Sequence, residues 1–245
     1  MMQLALGAGL AAVVALIAYR TRALSFDGAV AAFAVGLAVF AASGWRGAAV
    51  LFAFFIPSAL LSRHDTGAQP RSGWQVLANG GVAAVCAILG VRFGAPFSAA
   101  FAGAFAAASA DTWGSELGTR YGSAPISILT LRRVAVGRSG GVTLWGSLAT
   151  LAGALCVAVV AAAVHVAPLA GVALGGVAGA LLDSILGASL QALRWCPACA
   201  CECERQRHEC GTPTVLRRGL SWIENDAVNF AATLCGAVVA AVALR

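Results

Sequence analysis

Charge is what this sequence has least of. Only 11% of its 245 residues are charged while 60% are apolar, and the mean hydropathy is +0.86. Soluble domains carry about a quarter of their residues as Asp, Glu, Lys or Arg, so the composition disfavours a soluble fold and points to a polytopic membrane protein. Lysine is missing altogether: every one of the 16 basic residues is arginine. Apolar–polar alternation with a period of two is also missing, which excludes a transmembrane β-barrel. No linker divides the chain, so residues 1–245 read as one domain. The opening MMQLALGAGLAAVVALIAYRTR has neither a basic n-region nor a clear cleavage site, and it reads as a retained first helix rather than a signal peptide.

What is present is a series of apolar runs. A bilayer core of roughly 30 Å needs about 20 apolar residues in helical form. Runs near 2–18, 29–43, 47–61, 76–91, 95–110, 144–164, 168–190 and 226–244 approach that length. The expected fold class is all-α, a single bundle of about 7–8 transmembrane helices. The second and third runs are short, which suits a re-entrant pair or little tilt. Alanine and glycine crowd the runs, as in Ala29–Gly36 and Gly171–Ala180, and let helix backbones approach closely.

The arginines set an orientation. With eight spans, Arg20, Arg22, Arg63, Arg71, Arg120, Arg132, Arg133, Arg138, Arg194, Arg205, Arg207, Arg217 and Arg218 share one face, and Arg46, Arg92 and Arg245 the other. The positive-inside rule makes the first face cytoplasmic, with both termini outside. A bacterial inner-membrane protein with its active face toward the cytoplasm is expected. The acidic residues follow the same division. Solvated loops account for Asp65 and for Glu202, Glu204 and Glu209. Asp27, Asp111, Glu116, Asp183 and Asp226 sit at span ends or inside a span, where a carboxylate is costly and points to function.

Four segments could carry chemistry. ADTWGSELG, residues 110–118, follows an almost purely apolar run. On an ideal helix Asp111 and Glu116 are separated by about 140°. They share a ligand only if the helix bends or ends between them, and Gly114 is placed to allow that; Asp111 and Ser115 share a face. The segment is either a helix end with local hydrogen bonds or a magnesium site of oxygen ligands. Next, Gly137, Arg138, Ser139, Gly140, Gly141 and Thr143 precede an apolar run beginning near Leu144. They form either a turn before a helix or an anion cradle of amides completed by Arg132, Arg133 and Arg138. Asp183 lies within a span, on a stripe with Gly187 and Gln191, and is either a structural buried aspartate or a functional one. WIENDAVNF opens the last span, where Asn225 or Asp226 would cap the helix and Asn229 lies one turn on from Asn225.

Between the last two spans, a loop at about 194–218 holds Cys196-x2-Cys199 and His208-x-Cys210. The pattern resembles a Cys3His zinc set with Cys201 and Cys203 to spare. Reduced free thiols are the alternative, since a cytoplasmic location disfavours stable disulfides. Cys86, Cys156 and Cys235 fall inside spans and read as small core residues.

Taken in order, QVLANGG, ADTWGSELG, VGRSGGVTLWGSLA, LLDSILGASLQ, the Cys-x2-Cys…His-x-Cys-Gly loop and NDAVNF resemble a known set. They are similar to the integral membrane family long catalogued as a domain of unknown function. That family includes the phytyl-phosphate kinases of chloroplasts and cyanobacteria and the animal transmembrane protein 19. The resemblance covers nearly the whole chain and departs in the extra Cys201 and Cys203 and in basic loops without lysine. It implies phosphoryl transfer from a nucleoside triphosphate, expected to be CTP, to an isoprenyl monophosphate, as in phytol salvage. It also implies that Asp111, Glu116, Asp183 and Asp226 form a catalytic, magnesium-holding set. Gln75, Asn79, Ser115, Asn225 and Asn229 would join them around the substrates, with no nucleic acid among the partners. An acceptor phosphate with a second pKa of about 6 is largely ionised at neutral pH. No strong base is then needed, which suits a chain whose histidines are His64, His165 and His208. Two other classes are compatible with these residues. A lipid cytidylyltransferase would use the same nucleotide and metal, and a transporter would use Asp111 and Asp183 as an ion path.

Overall fold

Apolar runs in a bilayer satisfy their backbone hydrogen bonds internally as helices, and the computed structural model is a helical bundle. It describes residues 2–62 and 69–244; Arg63, His64, Asp65 and Arg245 lie outside them. The elements are α1 (Met2–Arg20), α2 (Phe26–Ser62), α3 (Gly73–Phe93), α4 (Ala95–Tyr121), β1 (Ile126–Ser127), β2 (Gly141–Val142), α5 (Leu144–Ala163), α6 (Leu169–Ser189), β3 (Leu193–Cys196), β4 (Cys201–Cys203), β5 (Val215–Arg218) and α7 (Asn225–Val242). Of these, α2, α3, α5, α6 and α7 are long and apolar enough to cross a membrane.

The runs at 29–43 and 47–61 are the two arms of α2. Gly44 interrupts the helix with φ 58° and ψ −149°, a conformation glycine adopts at little cost. A straight helix of this length would reach about 55 Å. Instead both ends of α2 meet Arg71. Ser25 N donates to Arg71 O at 3.1 Å, and Arg71 Nη2 donates to Ser62 Oγ at 2.8 Å. The element is therefore a helical hairpin with Trp45 and Arg46 at its tip.

α4 is the centre of the bundle, buried without interruption from Ala99 to Ala110. Small residues make that burial possible. A Cβ on Gly236 of α7 would lie 2.6 Å from Ala107 Cβ and 2.7 Å from Gly103 O. Gly175 and Gly179 of α6 touch the α7 backbone at Gly236 and Ala232 in the same way. These backbones contact each other directly, as small-residue interfaces in membranes do. The neighbours of Gly103 and Ala107 show that α4 and α7 run antiparallel.

α4 continues through Gly114 and ends at Tyr121, so no bend brings Asp111 and Glu116 together. A side chain at Gly114 would strike Thr150 of α5. The glycine therefore makes room for a helix contact rather than a kink. The last helix begins at Asn225, and Glu224 occupies its N-cap without a side-chain cap bond, so neither Asn225 nor Asp226 is the cap.

Hydrophilic loops gather at one end of the bundle. There β1 pairs with β2, and β4-β3-β5 form an antiparallel sheet with Cys196 opposite Cys201. The Cys-rich loop is thus a small β-ribbon on a helical bundle. The opposite end carries the Gly44 turn and the short connections after α3 and α5.

Candidate functional site under the basic loops

Three elements bring the carboxylates and an arginine together: α4, α6 and the segment between α2 and α3. Gly176 and Gly179 set α6 directly against Ala106 and Ala107 of α4. One helical turn beyond Gly179, Asp183 meets Asp111 across the same interface. The two carboxyl groups are close enough to act on each other electrostatically, and Asp183 Oδ2 is buried with no hydrogen-bond partner. Two carboxylates this close repel unless a shared proton or a cation lies between them. An orphaned oxygen beside a second carboxylate is an all-oxygen donor set that fits a hard cation such as magnesium.

Glu116, on another face of α4, joins the pair through Arg71. Ser62 Oγ donates to Glu116 Oε1 at 2.7 Å, and Arg71 Nη2 donates to Ser62 Oγ. The Arg71 guanidinium feels both Glu116 and Asp111. Burial lowers its pKa and the two carboxylates raise it, and an arginine in such a place stays charged. The link between Asp111 and Glu116 is thus a cation from a different segment.

The glycine-rich loop lies one turn from Asp183. Gly187 packs on Gly140, where a Cβ would come 3.0 Å from Gly140 N, and a side chain at Gly140 would strike Ala188. Gly140 has φ 76°, in the left-handed region that glycine tolerates. The loop's amides are largely occupied. Arg138 N donates to Ala135 O, Gly141 N to Arg138 O, and Ser139 N to Glu204 Oε1 at 3.0 Å. Ser139 Oγ also donates to Glu204 Oε2 at 2.7 Å, and Gln191 Nε2 reaches the same oxygen at 2.8 Å. The loop therefore already holds an anion, the chain's own Glu204, rather than standing open as an amide cradle.

The remaining expected residues divide. Thr143 caps α5 by accepting from Gly146 N at 3.0 Å. Arg138 pairs with Glu202 at 3.0 Å, while Arg132, Arg133, Gly137 and Ser115 are exposed, and no hydrogen bond or ion pair joins them to the carboxylate pair. Gln75 completes a capping box with Ser72, and Asn79 Nδ2 donates to Gln75 O, so both have local roles at the start of α3. Asp226 and Asn229 are half-buried on the first turns of α7 and Asn225 is exposed; no hydrogen bond joins Asp226 to Asp111 or Asp183. Asp226 shares the end of the bundle with the pair but not the contact.

An apolar cavity of about 280 Å³ opens beside this cluster, between α1, both arms of α2 and the start of α3. Val14, Phe40, Phe52 and Phe55 are among its walls, and Ser62, Arg71, Gln75 and Asn79 line it at the loop end. Arg71 therefore borders both the cavity and the carboxylates.

In the Cys-rich ribbon, the ligand atoms of Cys196, Cys199, His208 and Cys210 all lie within 4.8 Å of one another. The Cys210 thiol is pulled down to about 6, first by Thr212 and then by His208 and Cys199, while its hydrogen bond pushes Cys199 up to about 12. Among these thiols, a thiolate at Cys210 is favoured.

Reasoning along the sequence missed Arg71, Ser62 and Glu204, and it placed Ser139 in an open anion loop rather than on Glu204. Arg71 leaves one trace, a lone arginine directly before the Ser72 cap. Glu204 leaves none, because its partners are 65 residues away at Ser139 and across the ribbon at Gln191.

A helical bundle with a half-buried acidic pair and an arginine gathered beneath its loops is the build of a polytopic integral membrane protein. The sequence profile of the integral membrane protein DUF92 family matches residues 9–237, and the chain belongs to that family. It is 29% identical to Protein PGR of Arabidopsis thaliana, over 96% of this chain and 93% of that protein. It is 28% identical to an uncharacterized membrane protein of Synechocystis, over 85% of this chain and 78% of that one. A further uncharacterized membrane protein, from Methanocaldococcus jannaschii, is 27% identical over 93% and 88% of the two chains. No solved structure matches the chain.

Proposed function

We propose that this protein is a membrane-embedded prenyl-phosphate kinase, which moves the γ-phosphoryl group of CTP or another nucleoside triphosphate onto an isoprenyl monophosphate. The observation that carries the reading is the position of Arg71. It donates to Ser62, which holds Glu116, and lies in the field of Glu116 and Asp111 on one side, and it lines the apolar cavity on the other. That is where a lipid with a long apolar tail and an anionic head would place its phosphate. The basic face is toward the cytoplasm in this reading, as the arginine bias directs.

The chain's residues then have distinct tasks. The cavity between α1 and the α2 hairpin holds the prenyl tail out of water. Arg71 orients the acceptor phosphate with its forked donors. One oxygen of that phosphate attacks the γ-phosphorus, the bond from the γ-phosphorus to the β–γ bridging oxygen breaks, and the nucleoside diphosphate leaves. Phosphoryl transfer asks for positioning and charge neutralisation rather than a strong base. Asp111 and Asp183 would hold magnesium, which neutralises charge on the transferring phosphates. Glu116 fixes Ser62 and with it the guanidinium.

The test is product analysis. Purified protein in nanodiscs is supplied with magnesium, CTP labelled at the γ-phosphate, and isoprenyl monophosphates of several lengths. The expected result is label in a lipid diphosphate and release of CDP. Formation of a CDP-linked lipid with release of diphosphate would make the protein a cytidylyltransferase instead. Absence of transfer from any nucleotide to any of these lipids would overturn the reading.

A further inference from the structure

The ribbon formed by β3, β4 and β5 lies outside the carboxylate site, and its four convergent ligands have no task in the reaction above. We propose that Cys196, Cys199, His208 and Cys210 bind one structural zinc ion, which clasps the ribbon and so positions Glu204 on the glycine-rich loop.

Geometry carries the assignment. A tetrahedral site with Zn–S bonds of about 2.3 Å has sulfur–sulfur edges of about 3.8 Å. Cys196 Sγ and Cys210 Sγ are 3.6 Å apart, and His208 Nδ1 is 3.2 Å from Cys210 Sγ. With Cys199 included, no pair of the four ligand atoms exceeds 4.8 Å. A disulfide would bring two sulfurs to about 2.05 Å, and all eight cysteines are free.

The backbone explains the convergence. Cys196 ends β3, buried, and Cys199 lies in the turn that leads to Cys201 at the start of β4. The second pair lies on another tight turn, where His208 N donates to Thr212 O and Gly211 N to His208 O. Gly211 has φ 83°, so a glycine suits the position after the ligand Cys210. Two turns from separate parts of the loop thus face each other with two ligands each. Cys201 Sγ lies 3.5 Å from His208 Nε2. With Nδ1 on the metal, Nε2–H faces this sulfur as an outer partner that fixes the ring. The ion completes four positions, which is the closed form of a structural site.

A ribbon of three short strands has little core of its own, and a metal supplies what burial does not. β4 ends at Cys203, and the next residue is Glu204, whose carboxylate takes Ser139 N, Ser139 Oγ and Gln191 Nε2. Fixing Cys199 and His208 on either side of β4 fixes where Glu204 sits. Glu204 is a positioning residue in this account, and it holds the loop against Gly187 beside Asp183.

The test uses tag-free full-length protein purified under reducing conditions. Elemental analysis is expected to give about one zinc per chain. Cobalt exchanged for zinc should show thiolate-to-metal charge transfer and the visible bands of a tetrahedral ion. C196S, C199S, H208A and C210S should each lose the metal, while C201S and C203S keep it. Should the ligand variants fail to fold, chelation of zinc from the wild-type protein serves instead. Hydrogen exchange at the Ser139 amide should then rise and fall again when zinc is returned. Zinc-free wild-type protein with an unchanged ribbon, or zinc retained by both C199S and C210S, would overturn the proposal. None of these readouts depends on kinase activity.

Discussion

The two sides of the bundle share close glycine contacts but enclose different volumes. On the side of α4, α6 and α7, glycines at 103, 175, 179 and 236 bring backbones into contact. On the side of α1 and the α2 hairpin, Gly7 and Gly36 also press on Phe40 and Ala11, while Phe40, Phe52 and Phe55 wall a cavity of about 280 Å³. Gly9 of α1 has no atom within 4 Å of where its Cβ would be, and Leu4, Leu6, Val13 and Ile17 stay exposed for lipid. Small residues allow close approach on both sides, and bulky partners decide whether a volume stays open. The close-packed side sets Asp183 against Asp111, which is what the proposed reacting centre asks for. The open side leaves a volume for an apolar guest. Arg71 stands at the seam between them.

The largest effect that would break this comparison comes from the close-packed side. Asp183→Asn keeps the side-chain volume and removes a charge, so magnesium-dependent turnover should fall by more than about 10³-fold. Helicity by circular dichroism and elution volume should be unchanged. The same holds for Asp111→Asn. A smaller loss is expected at the seam: Arg71→Ala removes the donor to Ser62 and should lower kcat/KM by about 10²-fold, with Arg71→Lys recovering part of it. Loss of tail binding alone, with kcat intact, would move Arg71 out of the reacting centre.

Packing itself is tested by glycine replacements. Gly236→Val drives a side chain into Ala107 and Gly103 and should cost about 1–3 kcal/mol, read as a lower Tm in detergent. Gly9→Ala, with open space around it, should leave Tm near the parent value. Equal losses would mean that the Gly236 contact does not hold the helices together. The smallest effect belongs to the cavity. Ala32→Phe fills part of it and should raise KM several-fold for long isoprenyl phosphates while sparing short ones.

How much of this was legible in the sequence depends on the range of the interaction. The helices follow from runs of alanine, valine and leucine, because a bilayer leaves the backbone no alternative. Asp183 stood out because a lone carboxylate in an apolar span is costly, and Cys196-x2-Cys199 stood out by its spacing. That 29–43 and 47–61 form a pair was legible in their short length, but their joining through one left-handed glycine was not. Gly114 was misread as a hinge because its partner, Thr150, lies on another helix. Glu204 looked like a solvated loop residue for the same reason: its three donors come from Ser139 and Gln191. Periodicity and burial cost can be read along a chain, but contacts between distant segments cannot.

The central claim is that the open side and the close-packed side form one site joined at Arg71. Its most direct test is photocrosslinking with an isoprenyl monophosphate that carries a diazirine at the far end of its tail, followed by mass spectrometry of the labelled protein. The account predicts labels on cavity residues such as Val14, Phe40 and Phe55. It also predicts that adding isoprenyl monophosphate without the diazirine abolishes them. Labels confined to the outer surface of α5 and α6, unchanged by that competitor, would contradict it.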